Sequence, residues 1–278
     1  MRILTDSTAD YTLEEARQLN IDIIPLKVVI DGKEYKDRID IQSEEFYKQL
    51  VQSSTLPTTS QPSPQDFMDY ILKAKENNEP IIMILLSSQF SGTYQSAKLA
   101  ADLCEYDKVY IIDSQTTTLA LRLLVDKAIS MRDNNEDVEM IVEIIETLKE
   151  KVAIFAIVDT LEYLYKGGRL SRTSAMAGTL LKIKPVIGVD KGKLDVFSKA
   201  RGLSKATLEL VSVIHDHGDI DLSQNIYFGF TGEEKSMDKF NDILDEAFSV
   251  GKVESKLIGP VIGTHVGPGG KAIAYFKK

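Results

Sequence analysis

Ser91 and Gly92 belong to a segment whose residue types could bind an anion. They follow the apolar run Ile81–Leu86 and precede a predicted helix. A hydroxyl and free N–H groups at the start of a helix favour an anion, because that end of the helix carries partial positive charge. Capping of the helix by Ser91 alone explains the same residues equally well. The segment therefore predicts either a helix cap or one wall of an anion site.

A second segment, Thr58–Ser63, is rich in hydroxyl side chains and includes Thr59. Prolines at positions 57, 62 and 64 restrict its backbone, and a stiff loop presents hydrogen-bond donors with little loss of entropy. The alternative is a simple turn before a helix that starts at Pro64, since proline is common at the first helical position. Thr59 is therefore a second candidate for an anion site.

The third segment is glycine-rich and surrounds His265 within residues 258–270. Glycine lets a backbone approach a ligand closely or turn sharply. Gly267, Gly269 and Ala272 match a dinucleotide-binding fingerprint only formally, because too few residues follow for the helix and strand that it needs. His265 is thus a candidate binding residue, and a purely structural histidine is the alternative.

Two basic segments and a histidine pair are weaker candidates. Arg201 lies in the cationic run Lys199–Gly202, where an arginine can bind a carboxylate or phosphate, or can be a solvated surface charge. Lys166–Arg172 is a basic turn with two glycines, which predicts a docking element, a hinge or a helix C-cap. The pair His215 and His217 is typical of a solvated helix end, since a metal would need further ligands placed by the fold.

Short apolar strands alternating with helical patterns must position these segments. Ile81–Leu86 and Val152–Val158 are apolar throughout, as expected for strands buried on both faces of a parallel sheet. Alternation of strands and helices predicts βαβ units. We therefore predict an α/β fold with two domains. Residues 1–159 form an N-terminal α/β domain with a parallel sheet, and residues 160–278 form a C-terminal α/β domain with a mixed sheet.

Three finer predictions concern the segments around the candidate residues. Residues 53–64 show no hydrophobic period, which predicts a loop without a strand. Ser174–Leu181 has a helical pattern, and Val261–Thr264 is rich in β-branched residues, which predicts a strand.

The composition excludes several classes of protein. The chain has 278 residues, 33 of them basic and 42 acidic, with a formal net charge of −9. This balance argues against a general nucleic-acid binder and against broad adhesion to anionic membranes. Cys104 is the only cysteine, which excludes an internal disulfide framework and indicates a reducing compartment. Apolar runs reach only strand length and Asp6 lies where a signal peptide would be apolar, so we expect a cytoplasmic protein.

Together these motifs resemble those of the DegV family of fatty-acid-binding proteins. They occur in family order along almost the whole chain. The matching motifs are Asp6-Ser7, Thr59–Ser63, Ser91–Tyr94, Asp113-Ser114, Leu161–Ser171, Lys199–Lys205 and Gly259–Gly269.

The resemblance implies that a long-chain fatty acid is held between or within the two domains. It also implies a non-catalytic, lipid-binding subunit of a bacterial fatty acid kinase. A separate ATP-dependent kinase subunit then phosphorylates the bound carboxylate, giving an acyl phosphate for phospholipid synthesis. By this resemblance, Thr59, Ser91 and His265 contact the carboxylate and Arg201 couples to the kinase. The fatty acid is the only ligand implied, without a metal or other cofactor; nucleic acid is not an expected partner, and transient membrane contact is compatible with the role.

Physical estimates agree with a lipid ligand. A buried carboxylate needs charge-assisted hydrogen bonds. Burying a methylene contributes about 0.8 kcal/mol, so a sixteen-carbon tail offers on the order of 10 kcal/mol before the costs of binding.

Two other functions remain open on the sequence. One is a self-sufficient serine hydrolase of acyl esters that uses Ser91 and His265, and the other is phosphotransfer through His265.

Overall fold

The computed structural model describes residues 1–171, 183–235 and 237–278. The strands are β1 (Arg2–Asp6), β2 (Asp22–Ile24), β3 (Lys27–Ile30), β4 (Lys33–Lys36), β5 (Thr58–Ser60), β6 (Ile81–Leu85), β7 (Val109–Asp113), β8 (Val152–Ile157), β9 (Ile183–Asp190), β10 (Lys193–Arg201), β11 (Tyr227–Phe230), β12 (Ser255–Leu257) and β13 (Lys271–Phe276). The α-helices are α1 (Leu13–Gln18), α2 (Ser43–Gln52), α3 (Pro64–Glu76), α4 (Thr93–Cys104), α5 (Thr118–Asp133), α6 (Val138–Leu148), α7 (Glu162–Lys166), α8 (Leu203–His217), α9 (Met237–Phe248) and α10 (Pro260–Val266).

The N-terminal part contains a parallel sheet of strand order β2-β1-β6-β7. Every residue of β6 is buried, as its uninterrupted apolar sequence predicts. Met83 and Leu85 pack with residues of α3 and α4, and Ile82 and Ile84 belong to the core that contains α5. Helices therefore cover both faces of this sheet, which confirms the predicted parallel-sheet α/β architecture.

The C-terminal part contains a six-stranded mixed sheet of order β10-β9-β8-β13-β11-β12. Only β11 and β12 are parallel, and the other neighbours are antiparallel. The predicted mixed sheet is thereby confirmed. Its strand β8 precedes residue 159 in the sequence and pairs with β9 and β13. The domain boundary after residue 159 stays a prediction, and β8 is a strand from the N-terminal side that joins the C-terminal sheet.

Helix α5 packs between the two larger sheets. It contacts β1 and β6 of the parallel sheet and β8, β11 and β13 of the mixed sheet. Leu119, Leu121 and Leu124 of this helix are fully buried, which is typical of a helix that is apolar on several faces. The two sheets consequently share one hydrophobic core, and the start of α5 lies where they meet.

A small antiparallel sheet of strand order β4-β3-β5 contains Thr59 in its strand β5. The β3–β4 hairpin turns at Asp31 and Gly32, which both have positive φ, as a two-residue turn between twisted strands requires. Residues 53–64 are not entirely a loop, because Thr58–Ser60 pairs with β3 and places Thr59 opposite Val28. The expectation of a loop without a strand was therefore wrong: backbone pairing with β3 forms this strand without a hydrophobic period of its own.

The predicted strand at Val261–Thr264 was also wrong, since these residues lie in helix α10. Gly259 has the extended backbone of an N-cap and Pro260 follows at the first helical position, which favours a helix start. Val261 and Thr264 are buried, so tertiary packing overrides the strand preference of β-branched residues. The predicted helix at Ser174–Leu181 lies outside the described residues.

Asp10 anchors the starts of both α5 and α10. Its carboxylate accepts hydrogen bonds from Thr118 Oγ1 at 2.5 Å, from Gly259 N at 2.8 Å and from Arg38 Nη2 at 2.6 Å. The side chain of Asp10 is fully buried and that of Arg38 is 8% exposed. A buried carboxylate with several donors fixes the elements that supply them. This contact sets where α10, and with it His265, lies relative to the parallel sheet.

We expect Asp10→Asn to lower the free energy of unfolding by on the order of 3 kcal/mol, because Arg38 then keeps its buried charge without this carboxylate. Urea-induced unfolding measures the effect. The exposed Asp69 on α3 provides the matched control, and Asp69→Asn should change stability by less than about 0.5 kcal/mol. Equal effects of the two substitutions would contradict the anchoring role of Asp10.

Candidate functional site

A cavity of about 370 Å³ lies where the small sheet, the starts of α4 and α5, and helix α10 approach one another. Most of its wall is apolar. The apolar lining residues are Leu26, Leu86, Phe90, Leu164, Leu194, Val261, Ile262 and Val266. The polar and charged lining residues are Thr59, Ser60, Gln61, Ser91, Thr117, Arg169 and His265. An apolar cavity with a few polar groups is the usual form of a small-molecule site.

Thr59 and His265 form the central polar contact of the cavity. Strand β5 presents Thr59, and its Oγ1 lies 2.8 Å from Nε2 of His265 in the last turn of α10. The other ring nitrogen, Nδ1, is buried and has no hydrogen-bond partner in the described part of the chain. The backbone of Gly167 lies close to this nitrogen. A Cβ atom at position 167 would collide with Nδ1, so the close approach requires glycine.

Burial, assisted by the positive charge of Arg169, lowers the pKa of His265 from 6.5 to about 4. Desolvation disfavours the charged imidazolium, and a neighbouring cation disfavours it further. His265 is therefore a neutral imidazole near pH 7. It can take part in hydrogen bonds with a ligand, but it brings no positive charge to the cavity.

Ser91 lies just before α4 and lines the same cavity. Its Oγ is 2.9 Å from Oγ1 of Thr93, and it is 3.4 Å from the backbone nitrogen of that residue. Gly92, not Ser91, is the N-cap residue, and as a glycine it has no side chain with which to cap the helix. The Ser91 hydroxyl thus makes local contacts around the helix start and also faces the cavity.

Gln61 links the Thr59 strand to the Ser91 segment. Its Oε1 accepts from Gly92 N at 3.1 Å, and its Nε2 donates to Ser96 Oγ at 3.2 Å. A Cβ at Gly92 would collide with the Gln61 amide, so glycine at this position permits the contact. Two of the three predicted binding segments are therefore joined by one side chain.

The aspartates that end strands β1 and β7 shape the neighbouring loops. Asp6 accepts from Leu86 N at 2.7 Å and from Thr8 Oγ1 at 2.5 Å, and burial raises its pKa to about 6. Asp113 Oδ1 accepts from Ser88 N at 3.1 Å. These carboxylates hold the loop that leads from β6 to Ser91, so their motifs contribute to the site through the backbone.

The structure thus brings Thr59, Ser91 and His265 to one cavity, and it places Arg201 elsewhere. Arg201 is exposed at the end of β10, opposite Ile183, and it is not among the described lining residues. The roles of these four residues in binding and in coupling to a partner stay predictions.

The geometry gives no support to a serine hydrolase. His265 Nε2 is hydrogen-bonded to Thr59 Oγ1, and Ser91 Oγ is hydrogen-bonded to Thr93 Oγ1. A catalytic serine needs a hydrogen bond to its histidine, and the second ring nitrogen needs an orienting group. Among the described residues, neither contact is present.

The sequence did not identify the apolar lining residues, nor two of the polar ones, Thr117 and Arg169. Thr117 Oγ1 is buried and has no hydrogen-bond partner within the described ranges, and no motif distinguished it from an ordinary residue before a helix. Arg169 belongs to the basic glycine turn, but the sequence alone did not place that turn beside the cavity. Its nitrogens donate to Phe90 O at 3.0 and 3.1 Å and to Gly167 O at 2.7 Å.

A smaller cavity of about 60 Å³ adjoins the first. The two share Thr117, Leu194, Ile262 and Val266 as lining residues. The rest of the smaller cavity is mainly aliphatic, with Ile154, Ile187 and Val189 from the mixed sheet and Ile258 before α10, but Thr118, Thr231 and Lys271 also line it. Most of the polar lining residues therefore belong to the larger cavity, and the smaller one lies against the mixed sheet.

No helix in residues 1–171, 183–235 and 237–278 is long and apolar enough to cross a membrane. Within the same ranges, no group of three or more His, Cys, Asp or Glu side chains is placed to hold a metal ion.

The fold and the cavity define an α/β protein with a parallel sheet, a mixed sheet and a largely apolar cavity between them and the small sheet. This chain belongs to the DegV family: the family model, described as an uncharacterised protein of the DegV family, matches residues 1–278. A DegV domain-containing protein of Caldanaerobacter subterraneus is 34% identical over 276 residues, which covers 99% of this chain and 98% of that protein. One from Listeria innocua is 31% identical over 274 residues, covering 98% and 97% of the two chains.

Solved structures share the whole fold. A fatty-acid-binding DegV family protein from Thermus thermophilus has a TM-score of 0.88 and 29% identity, with 100% of both chains covered. DegV from Bacillus subtilis, a fatty acid binding protein, has a TM-score of 0.84 and 30% identity, covering 100% of this chain and 99% of that one. A stearic acid-binding protein from Eubacterium ventriosum has a TM-score of 0.88 and 26% identity, with the same coverage as the Bacillus protein.

Protonation of His265 should oppose folding. Because its pKa is about 4 in the folded chain and 6.5 ordinarily, the unfolded chain takes up the proton first as the pH falls. The contribution of His265 to the free energy of unfolding is therefore fully present above pH 6.5. This contribution decreases as the pH falls from 6.5 to 4. Urea unfolding near pH 7 and about two units lower should show a smaller acid-induced loss for His265→Gln than for the wild type.

The exposed His215 supplies the control for that measurement, since His215→Gln removes a histidine outside the cavity. NMR titration of the His265 ring, assigned by its loss in His265→Gln, gives the midpoint directly. A midpoint near 6.5 would contradict the burial of a neutral ring.

Proposed function

We propose that this protein binds a long-chain fatty acid, with the carboxylate at Thr59, Ser91 and His265. The observation that carries the proposal is that these residues, from three distant segments, line one cavity whose wall is otherwise mostly apolar. Such a cavity suits a ligand with one polar end and a long apolar remainder. The fatty-acid-binding relatives from Thermus thermophilus and Bacillus subtilis, which share the fold along the whole chain, support the same ligand class.

The contacts of the head group follow from hydrogen-bond chemistry. Thr59 and Ser91 carry hydroxyl donors, and His265 can donate from one ring nitrogen. A carboxylate removed from water needs such donors, since each one lost from a buried oxyanion costs about 1–3 kcal/mol. The Thr59–His265 hydrogen bond uses one donor of this pair and orients the other before the ligand arrives, which reduces the ordering cost of binding.

The acyl tail follows the aliphatic lining from the larger cavity toward the smaller one. The shared residues Leu194, Ile262 and Val266 border both volumes. Each methylene transferred from water contributes about 0.8 kcal/mol. The tail therefore supplies most of the affinity, and the polar residues fix which end of the ligand faces them.

The proposed physiological role is presentation of the carboxylate to a separate ATP-dependent fatty acid kinase subunit, which forms the acyl phosphate used in phospholipid synthesis. The order of family motifs along the chain supports this role, and the exposed position of Arg201 suits contact with a partner. The chain itself is then a non-catalytic, cytoplasmic subunit, because the ATP that the partner consumes is a cytoplasmic substrate.

Removing the Thr59 hydroxyl should weaken fatty acid binding without changing the shape of the side chain. We expect Thr59→Val to reduce oleate affinity about tenfold, the equivalent of about 1.4 kcal/mol, in titration calorimetry with delipidated protein. Thr58→Val is the matched control, because Thr58 is exposed on the same strand and does not line the cavity. Equal affinities for the two variants would contradict the head-group assignment, and the absence of oleate binding by the wild type would overturn the proposed function.

The role of Arg201 is tested in the presence of the kinase subunit. Arg201→Ala should reduce acyl phosphate formation at least tenfold and leave oleate affinity unchanged, because Arg201 lies outside the cavity lining. Lys193→Ala removes an exposed cation at the other end of β10 and should retain wild-type turnover. Unchanged turnover in Arg201→Ala would refute the coupling role.

A further inference from the structure

The hydroxyl group of Thr117 is a buried polar group in the wall of both cavities. Within the part of the chain that the structure describes, its Oγ1 has no hydrogen-bond partner. The other threonines that line the cavities in those ranges, Thr59, Thr118 and Thr231, each have a paired hydroxyl. Buried polar groups in proteins are almost always paired, so the Thr117 hydroxyl is available to a ligand.

Thr117 is also the N-cap residue of α5, but its side chain makes no capping hydrogen bond. A threonine in this place usually accepts from a backbone N–H of the first turn, as Thr12 does from Glu15 N in α1. The next residue, Thr118, has a φ of 49°, which is rare for a β-branched residue. Its Oγ1 donates to the buried Asp10 carboxylate at 2.5 Å. The backbone thus departs from helical geometry directly after Thr117, and the Thr117 hydroxyl is not used by the helix that it precedes.

The position of Thr117 differs from that of the proposed head-group residues. Thr117 lines both the larger cavity of about 370 Å³ and the smaller one of about 60 Å³. Thr59, Ser91 and His265 line the larger cavity and not the smaller one. Thr117 therefore lies where the two volumes adjoin, on the side toward which the acyl tail runs in the proposed binding mode.

We propose that this cavity takes a long-chain fatty acid with a hydroxyl group within its chain, and that Thr117 binds this hydroxyl. The inference rests on the proposed function and specifies the substrate class. A threonine hydroxyl both donates and accepts, so it pairs with an alcohol in either direction. An unsubstituted acyl chain excludes water from Thr117 and leaves its hydroxyl unpaired, whereas a hydroxyl on the chain replaces the hydrogen bond of that water.

Hydrogen bonding to the chain gives a stronger basis for selection than the apolar wall does. An apolar pocket distinguishes poorly between ligands that differ by one hydroxyl, but a site with a polar group for that hydroxyl rejects the ligand that lacks it. Since the larger cavity provides most of the space, the hydroxyl that meets Thr117 lies well along the chain and not beside the carboxylate.

The experiment compares stearate, 3-hydroxystearate and the separate enantiomers of 7-, 8-, 9-, 10-, 11- and 12-hydroxystearate. Their affinities for delipidated wild type and Thr117→Val are measured by titration calorimetry. We expect Thr117→Val to lower the affinity of at least one mid-chain isomer about tenfold, because a hydrogen bond to its hydroxyl is lost. The affinities of stearate and 3-hydroxystearate should stay within about twofold or increase, since valine has the same shape and no unpaired hydroxyl.

Two further variants are the controls. Thr117→Ser keeps the hydroxyl and should keep the preference for that isomer, and its comparison with Thr117→Ala repeats the test if Thr117→Val does not fold. Thr147→Val makes the same change on the exposed side of α6, outside both cavities, and should leave every affinity unchanged. Urea unfolding of ligand-free Thr117→Val should give a midpoint no lower than that of the wild type, because no hydrogen bond is lost.

The remaining outcomes overturn separate statements. If Thr117→Val and Thr117→Ala leave the affinity of every mid-chain isomer unchanged relative to stearate, the inference is wrong, while stearate binding by the wild type still supports the proposed function. An equal loss for stearate and all hydroxystearates would overturn the inference by assigning Thr117 to the carboxylate. A lower urea midpoint for Thr117→Val would show that its hydroxyl is already paired and would overturn the inference as well. A wild type that binds none of these acids would overturn the proposed function itself.

Discussion

A hydrogen bond of 2.8 Å joins Thr59 and His265, which lie 206 positions apart in the sequence. This hydrogen bond joins the small antiparallel sheet to helix α10 at the wall of the cavity. It depends on the positions of two separate backbone segments. Pairing of β5 with β3 places Thr59. Asp10, through Gly259 N, fixes the start of α10, and His265 follows within two turns. A shift in either element would separate the residues that contact the head group.

Sequence patterns predicted the parallel sheet and the mixed sheet, and the resemblance to the DegV family predicted that Thr59, Ser91 and His265 meet at one site. The apolar run at Ile81–Leu85 indicated a strand buried on both faces, and the carboxyl ends of neighbouring parallel strands necessarily lie at one edge. The strand predicted at Val261–Thr264 was wrong because residue preference is weaker than tertiary context. Pro260 and the anchored Gly259 start a helix there, and its buried side accommodates the β-branched residues.

Other parts of the site could not be predicted because they depend on contacts between distant segments. Thr58–Ser60 is a strand through its pairing with β3 and not through a pattern of its own. Arg169 lines the cavity in a conformation held by hydrogen bonds to Gly167 O and to the distant Phe90 O. Within the described ranges, the buried Thr117 hydroxyl has no hydrogen-bond partner, and Thr117 lines both cavities at the start of α5. Composition and residue spacing do not specify these contacts between distant segments.

The central claim concerns where the head group of a lipid acid lies, so a crystal structure of the chain soaked or co-crystallised with oleate tests it most directly. The account predicts electron density for one acyl chain in the two adjoining cavities, with carboxylate oxygens within hydrogen-bond distance of the Thr59 and Ser91 hydroxyl groups and of the His265 ring. Density for oleate on another surface, or with its carboxylate at the mixed-sheet end of the cavities, would contradict it.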